Sequence, residues 1–189
     1  MTPLMNSPAR GNNVFLIGPM GSGKTAVGKQ LARLLHLRFY DSDAEIEHRT
    51  GVDIPFIFEK EGEAGFRERE REVIDSLTLL ENVIIATGGG AILLPQNREH
   101  LSNRGRVVYL QTGIEQQLER TRHGRQRPLL YTDNPEDKLR ELMAHRGPLY
   151  ESIAAVVVPT DGRQVRVVAE EVAQRLQELP PEPPASKLP

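Results

Sequence analysis

Val14-Phe15-Leu16-Ile17-Gly18-Pro19-Met20-Gly21-Ser22-Gly23-Lys24-Thr25 is the stretch that decides the fold. Four apolar residues stopped by a glycine read as a short buried strand. From Gly18 the string matches G-x-x-x-x-G-K-[ST]. A helical pattern follows, with Val27, Leu31, Leu34 and Leu35 on one face. Strand, glycine loop and helix in that order form a phosphate grip. The glycines let the backbone wrap closely, and the amide N–H groups then point inward at the start of a helix. Lys24 is placed for the β- and γ-phosphates and the Thr25 hydroxyl for Mg²⁺. At average residue usage roughly fewer than one chain of this length in a hundred shows the string by accident.

Outward from the loop, strands alternate with helices. Arg38–Tyr40, Val83–Ala86, Arg106–Leu110 and Ala154–Val158 read as further strands. Helices are expected over Asp43–Arg49, Pro55–Glu61, Glu63–Leu80, Pro95–Ser102, Ile114–Arg120, Pro135–Arg146 and Val165–Leu179. Gly51 ends the first of these seven. The alternation predicts an α/β fold in which a parallel sheet is covered on both faces. Ligands of such sheets sit beyond the carboxyl ends of the strands, where Gly18, Asp41 and Gly88 fall. One domain is expected over 13–179, between a flexible arm at 1–12 and a disordered proline-rich tail at 180–189.

Composition narrows the function. The 189 residues carry a net charge of -2, which does not imply a broad nucleic-acid surface. Cysteine is absent, so disulfides, thiolate zinc sites and a cysteine nucleophile are excluded. The histidines show no metal-ligand spacing. No apolar run approaches the length of a membrane span, and the first ten residues do not read as a signal peptide. A cytoplasmic protein is expected.

The phosphate loop alone does not separate a switch, a motor and a kinase. A regulatory GTPase would carry Asn-Lys-x-Asp, which is absent. A motor would end a strand in an acid, whereas strands three to five run into Thr87, Gln111 and Pro159. The acids at a strand end are Asp41 and Asp43, in Asp41-Ser42-Asp43. In an extended segment that spacing puts both on one side, one to support Mg²⁺ and one to meet a substrate hydroxyl. Asp43 also precedes a helical pattern and suits an N-cap. Arg67 lies in a charged helix that reads either as a solvated face or as a source of one cleft residue. Gly88-Gly89-Gly90 after a buried strand permits close backbone approach to a ligand. Arg120, Arg122, Arg125 and Arg127 fall in an irregular basic segment that could close over phosphates as a lid.

In order, G-P-M-G-S-G-K-T, F-Y-D-S-D-A-E-I-E, R-T-G, G-E-A-G-F-R-E-R-E, A-T-G-G-G-A, R-P-L-L and P-L-Y resemble the shikimate kinase family over about Val14 to Asp161. The resemblance implies a three-layer α/β/α fold like that of the nucleoside monophosphate kinases. It has a five-stranded parallel sheet, a substrate-binding region at about 42–71 and a lid at about 120–133. It implies ATP and shikimate as partners, one Mg²⁺, transfer of the γ-phosphate to the 3-hydroxyl, and a monomer. Gly21, Ser22, Gly23, Lys24, Thr25 and Ala26 would then hold the ATP phosphates, with Thr25 and Asp41 on the metal side. Asp43 would bind the acceptor hydroxyls and take the proton or only orient them. Arg67, Gly89 and Arg146 would hold shikimate, with Gly88 and Gly90 beside them and Phe58 and Phe66 as walls. Lys24 and Arg127 would serve the transferring phosphate. Arg120 and Arg163 would border adenine. The rivals are another P-loop kinase, for gluconate or a nucleoside monophosphate, and a nucleotide-binding regulator without catalysis.

Overall fold

The computed structural model describes residues 12–121, 130 and 132–180. Five strands, β1 Val14–Ile17, β2 Arg38–Asp41, β3 Val83–Ala86, β4 Arg106–Gln111 and β5 Val156–Pro159, form one sheet in the order β2-β3-β1-β4-β5. Every neighbouring pair is parallel. The helices are α1 Lys24–Leu35, α2 Ser42–Thr50, α3 Ile54–Thr78, α4 Pro95–Arg104, α5 Ile114–Thr121, α6 Pro135–Ile153 and α7 Val165–Glu178.

Alternation along the strands splits the core in two. Val14 and Leu16 face one side, with Val27 and Leu31 of α1 and Val168 and Val172 of α7. Phe15 and Ile17 face the other, with Ile74 of α3, Leu101 of α4 and Tyr150 of α6. Both faces are therefore covered, and the expected three layers are present. The phosphate loop leaves the sheet from β1, the middle strand.

The two helices expected on either side of Gly62 are both present within the span α3, which breaks where Gly62 has φ 70° and ψ -177°. That positive φ is a conformation L-residues adopt at a cost. Helix α6 does not stop at Arg146. It runs on through Gly147 and Pro148 to Ile153, because the Tyr150 side of its next turn is buried in the core. The N-cap of α2 is Asp41 and not Asp43, since the helix begins one residue earlier than the pattern indicates. The Asp41 carboxylate accepts from the backbone N–H groups of Asp43 at 3.0 Å and Ala44 at 3.3 Å. Asp43 thus sits in the first helical turn, not on an extended segment.

Candidate active site

The loop between β1 and α1 closes on itself. Gly23, with φ 86°, turns the chain into the helix. The Lys24 ammonium donates to the carbonyls of Gly18 at 2.8 Å and Pro19 at 2.7 Å and to the Ser22 hydroxyl at 3.3 Å. Its charge is thereby held at the loop. Beside it the Thr25 hydroxyl donates to Asp41 at 2.6 Å. One Asp41 oxygen therefore caps α2 and the other meets Thr25.

The opposite wall comes from three helices and the turn after β3. Thr87 ties the end of β3 to β1, its hydroxyl donating to the Leu16 carbonyl at 3.1 Å. The Gly88 N–H donates to the Ser42 hydroxyl at 3.0 Å, which joins the glycine turn to α2. Gly88 and Gly90 are needed for space. A Cβ on Gly88 would stand 2.7 Å from Glu70 Oε1 and 2.8 Å from Asp43 Oδ1, and one on Gly90 would overlap the Arg67 guanidinium. The turn expected to approach a ligand closely is thus packed first against the charged side chains of the site.

Those charges are largely shielded from solvent. Arg67 donates from Nη1 to Glu70 at 2.8 Å, and from Nε and Nη2 to Glu63 at 3.3 and 3.0 Å. Burial opposes its charge, but Glu70 and Glu63 outweigh that and raise its pKa. Glu70 is fully buried, and burial pushes its carboxyl up against the pull of Arg67 and Arg146. Asp43 is raised to about 7, first by burial and then by Glu70 and Asp41, with Lys24 and Arg67 opposing. Its Oδ1, the Glu70 Oε1 and the Arg146 Nε are buried without a hydrogen-bond partner among the described residues. The rings of Phe58 and Phe66 pack beside this cluster with centroids 4.8 Å apart and planes tilted by 36°.

One cleft of about 1250 Å³ gathers Gly21, Gly23, Lys24, Thr25 and Ala26 with Asp41, Asp43, Phe58, Phe66, Arg67, Gly88, Gly89, Gly90, Arg120 and Arg146. Arg120 reaches over the phosphate loop and donates to the Gly21 carbonyl at 2.8 Å. Ser22 is buried under the loop and does not line the cleft. Arg163 does not line it either, being paired to Glu171 and the Pro159 carbonyl. Arg127 lies outside the described residues, as do Arg122 and Arg125. Sequence reasoning missed Glu70 as a site residue. Its only signal was its place one helical turn after Arg67.

A phosphate loop facing a buried carboxylate and two arginines across one cleft defines a P-loop kinase of a small acidic molecule. The family model described as shikimate kinase matches residues 20–177. A shikimate kinase of Halorhodospira halophila is 56% identical over 169 residues, covering 89% of this chain and 96% of that protein. One of Vibrio vulnificus is 51% identical over 170 residues, covering 90% and 99%. The structure of an Acinetobacter baumannii shikimate kinase in complex with shikimate matches with a TM-score of 0.88 at 50% identity, over 89% of this chain and 94% of that one. The chain belongs to the shikimate kinase family, and the expectation of an ATP-dependent kinase acting on shikimate holds.

Proposed function

We propose that this cleft transfers the γ-phosphoryl group of ATP to the 3-hydroxyl of shikimate, with ATP on the loop wall and shikimate on the Asp43 wall. The observation that carries this is the meeting of Lys24, Asp43, Arg67 and Arg146 in one cleft. Phosphoryl transfer needs positioning and charge neutralisation more than covalent chemistry. The loop amides and Lys24 hold the phosphates, and Arg127, outside the described residues, would add positive charge as the family resemblance implies. Arg67 and Arg146 clamp the carboxylate of shikimate, where a planar fork is favoured. The Gly89 backbone meets its ring substituents, and Phe58 and Phe66 wall the ring.

Asp43 orients the acceptor hydroxyl and accepts its proton. An ordinary aspartate is a weak base at neutral pH, but with a pKa of about 7 this one is matched to the task. The hydroxyl oxygen forms the new bond to γ-phosphorus, the bond to the β-γ bridging oxygen breaks, and ADP leaves. The oxygen pair of Thr25 and Asp41 suits a hard cation that keeps most of its shell as water and phosphate. Mg²⁺ held there would neutralise charge on the β- and γ-phosphates. Arg120, which lines the cleft beside the phosphate loop, borders the adenine end.

The same reading makes the enzyme a cytoplasmic monomer. The absence of cysteine suits a reducing compartment, and no helix among the described residues is long and apolar enough to cross a membrane. A coupled assay of ADP release with shikimate, gluconate and AMP offered separately tests the substrate. Turnover is expected with shikimate alone, and none with shikimate would overturn the assignment.

A further inference from the structure

Arg146 projects into the cleft from α6, just before the weakest point of that helix. The next residues are Gly147 and Pro148. Glycine is a poor helix former, and proline lacks the N–H that would bond four residues back. The helix by itself therefore holds the Arg146 turn loosely. Yet Arg146 is only 4% exposed, and its Nε finds no partner among the described residues.

One turn later stands Tyr150, fully buried. Its ring stacks on Tyr109 of β4, with centroids 5.0 Å apart and planes 23° from parallel. Its hydroxyl donates to the Gly89 carbonyl in the glycine turn. Burial pushes the phenol above its ordinary pKa, against the pull of the nearby Arg146 charge, so the hydroxyl keeps its proton to donate. An oxygen that donates to Gly89 still presents lone pairs to the guanidinium. The Arg146 Nη1 lies 3.7 Å from where a Gly89 Cβ would be. Three groups thus meet at one point: the Tyr150 hydroxyl, the Gly89 peptide and the Arg146 guanidinium.

We propose that Tyr150 is a positioning residue for the acceptor substrate, setting both the Gly89 peptide and the Arg146 guanidinium through its hydroxyl. By holding the carbonyl of Gly89 inward it fixes the plane of that turn. By bracing Arg146 past the Gly147-Pro148 weakness it keeps the guanidinium aimed into the cleft. The Tyr150 hydroxyl bonds the glycine turn and not the phosphate loop, although the two are neighbours: a Cβ on Gly89 would stand 3.3 Å from the Met20 backbone nitrogen. The inference rests on the placement of shikimate proposed above.

The test is Tyr150→Phe in the full chain, which removes one oxygen and keeps the ring stack. The shikimate KM is expected to rise about five- to tenfold, the range of one net hydrogen bond to a site group. The ATP KM should stay within about twofold and kcat within about threefold, because the lost bond ends on the Gly89 carbonyl and not on a phosphate-loop atom. Calorimetric titration of shikimate should show the same loss, and the thermal midpoint checks that the variant is folded. Tyr109→Phe is the control: it keeps the stack and leaves the Gly89 bond alone, so its shikimate KM should not move. An unchanged shikimate KM in folded Tyr150→Phe overturns the proposal. So does an equal loss in both KM values, which would mark a general packing role. Wild-type enzyme without shikimate turnover would instead overturn the substrate assignment, a distinct result.

Discussion

Between Gly18 and Thr25 the cleft is made of consecutive residues and largely of backbone, whereas across from it Asp43, Arg67, Glu70 and Arg146 come from three helices and carry charge into the interior. The two walls solve different problems. The loop grips phosphate with amide dipoles that the helix start leaves unpaired, so it buries no side-chain charge except that of Lys24. On the proposed assignment the other wall holds a carboxylate and hydroxyls, which needs charged groups, and their desolvation is costly unless they are paired. The Arg67–Glu70 pair at 2.8 Å meets that need before any substrate arrives. The phosphate-loop wall is a local property of the chain, and the opposite wall is a property of the packed core.

The contrast is exposed to mutation, beginning with the largest effect. Asp43→Asn should lower kcat by about 10²- to 10⁴-fold, the scale of a general base. Its ATP KM should not move, because the loop wall is untouched. Unchanged turnover would remove Asp43 from the chemistry.

Next comes Arg67→Ala, which should weaken shikimate by about 1.5–3 kcal/mol, the scale of a charge-assisted hydrogen bond. It also leaves the buried Glu70 without its partner, so the unfolding midpoint in urea should fall as well. A shikimate KM equal to that of the wild type would break the division into two walls.

Gly90→Ala sharpens it. The added methyl overlaps the Arg67 guanidinium, and overpacking of this kind costs about 1–3 kcal/mol. Displacement of Arg67 should raise the shikimate KM about tenfold and spare the ATP KM. A variant affecting both substrates alike would show that the glycine turn belongs to both walls.

The smallest effect is in pH. With Asp43 raised to about 7, kcat/KM for shikimate should rise through that pH and level above it, as the carboxylate forms. Stability should run the other way. The folded state keeps the Asp43 proton from about pH 4 to about 7, where the unfolded chain has lost it. The native state then binds more protons, so stability falls as pH rises across that window. Asp43→Asn should flatten this slope. Urea unfolding at pH 5 and pH 8 measures it.

Much of this was legible beforehand, for local reasons. Val14–Ile17 and Val83–Ala86 are short apolar runs stopped by glycine, and both strands have those bounds. The turn at Gly51 ends α2 as expected, with φ 72°. The misreadings occur where a distant contact overrides a local signal. Gly147-Pro148 reads as a helix end, yet burial of Tyr150 carries α6 past it. Asp43 looks like a cap, yet Asp41 takes that role while also meeting Thr25 from the neighbouring loop. Glu70 sits in a run of charges that looks like a solvated face, and only the packing of α3 against the glycine turn makes it an interior group.

What the sequence determined by itself is therefore the phosphate loop, the alternation that makes a parallel sheet, and the ordered motifs that mark the family. Each depends on residues near one another in the chain. The tertiary structure alone decided that burial raises the Asp43 carboxyl to about 7, that Arg67 arrives already paired with Glu70, and that the Tyr150 hydroxyl reaches the Gly89 carbonyl. These depend on which charges lose their water and which groups meet across the core. Desolvation and long-range contact are set by packing, and no stretch of chain carries them alone.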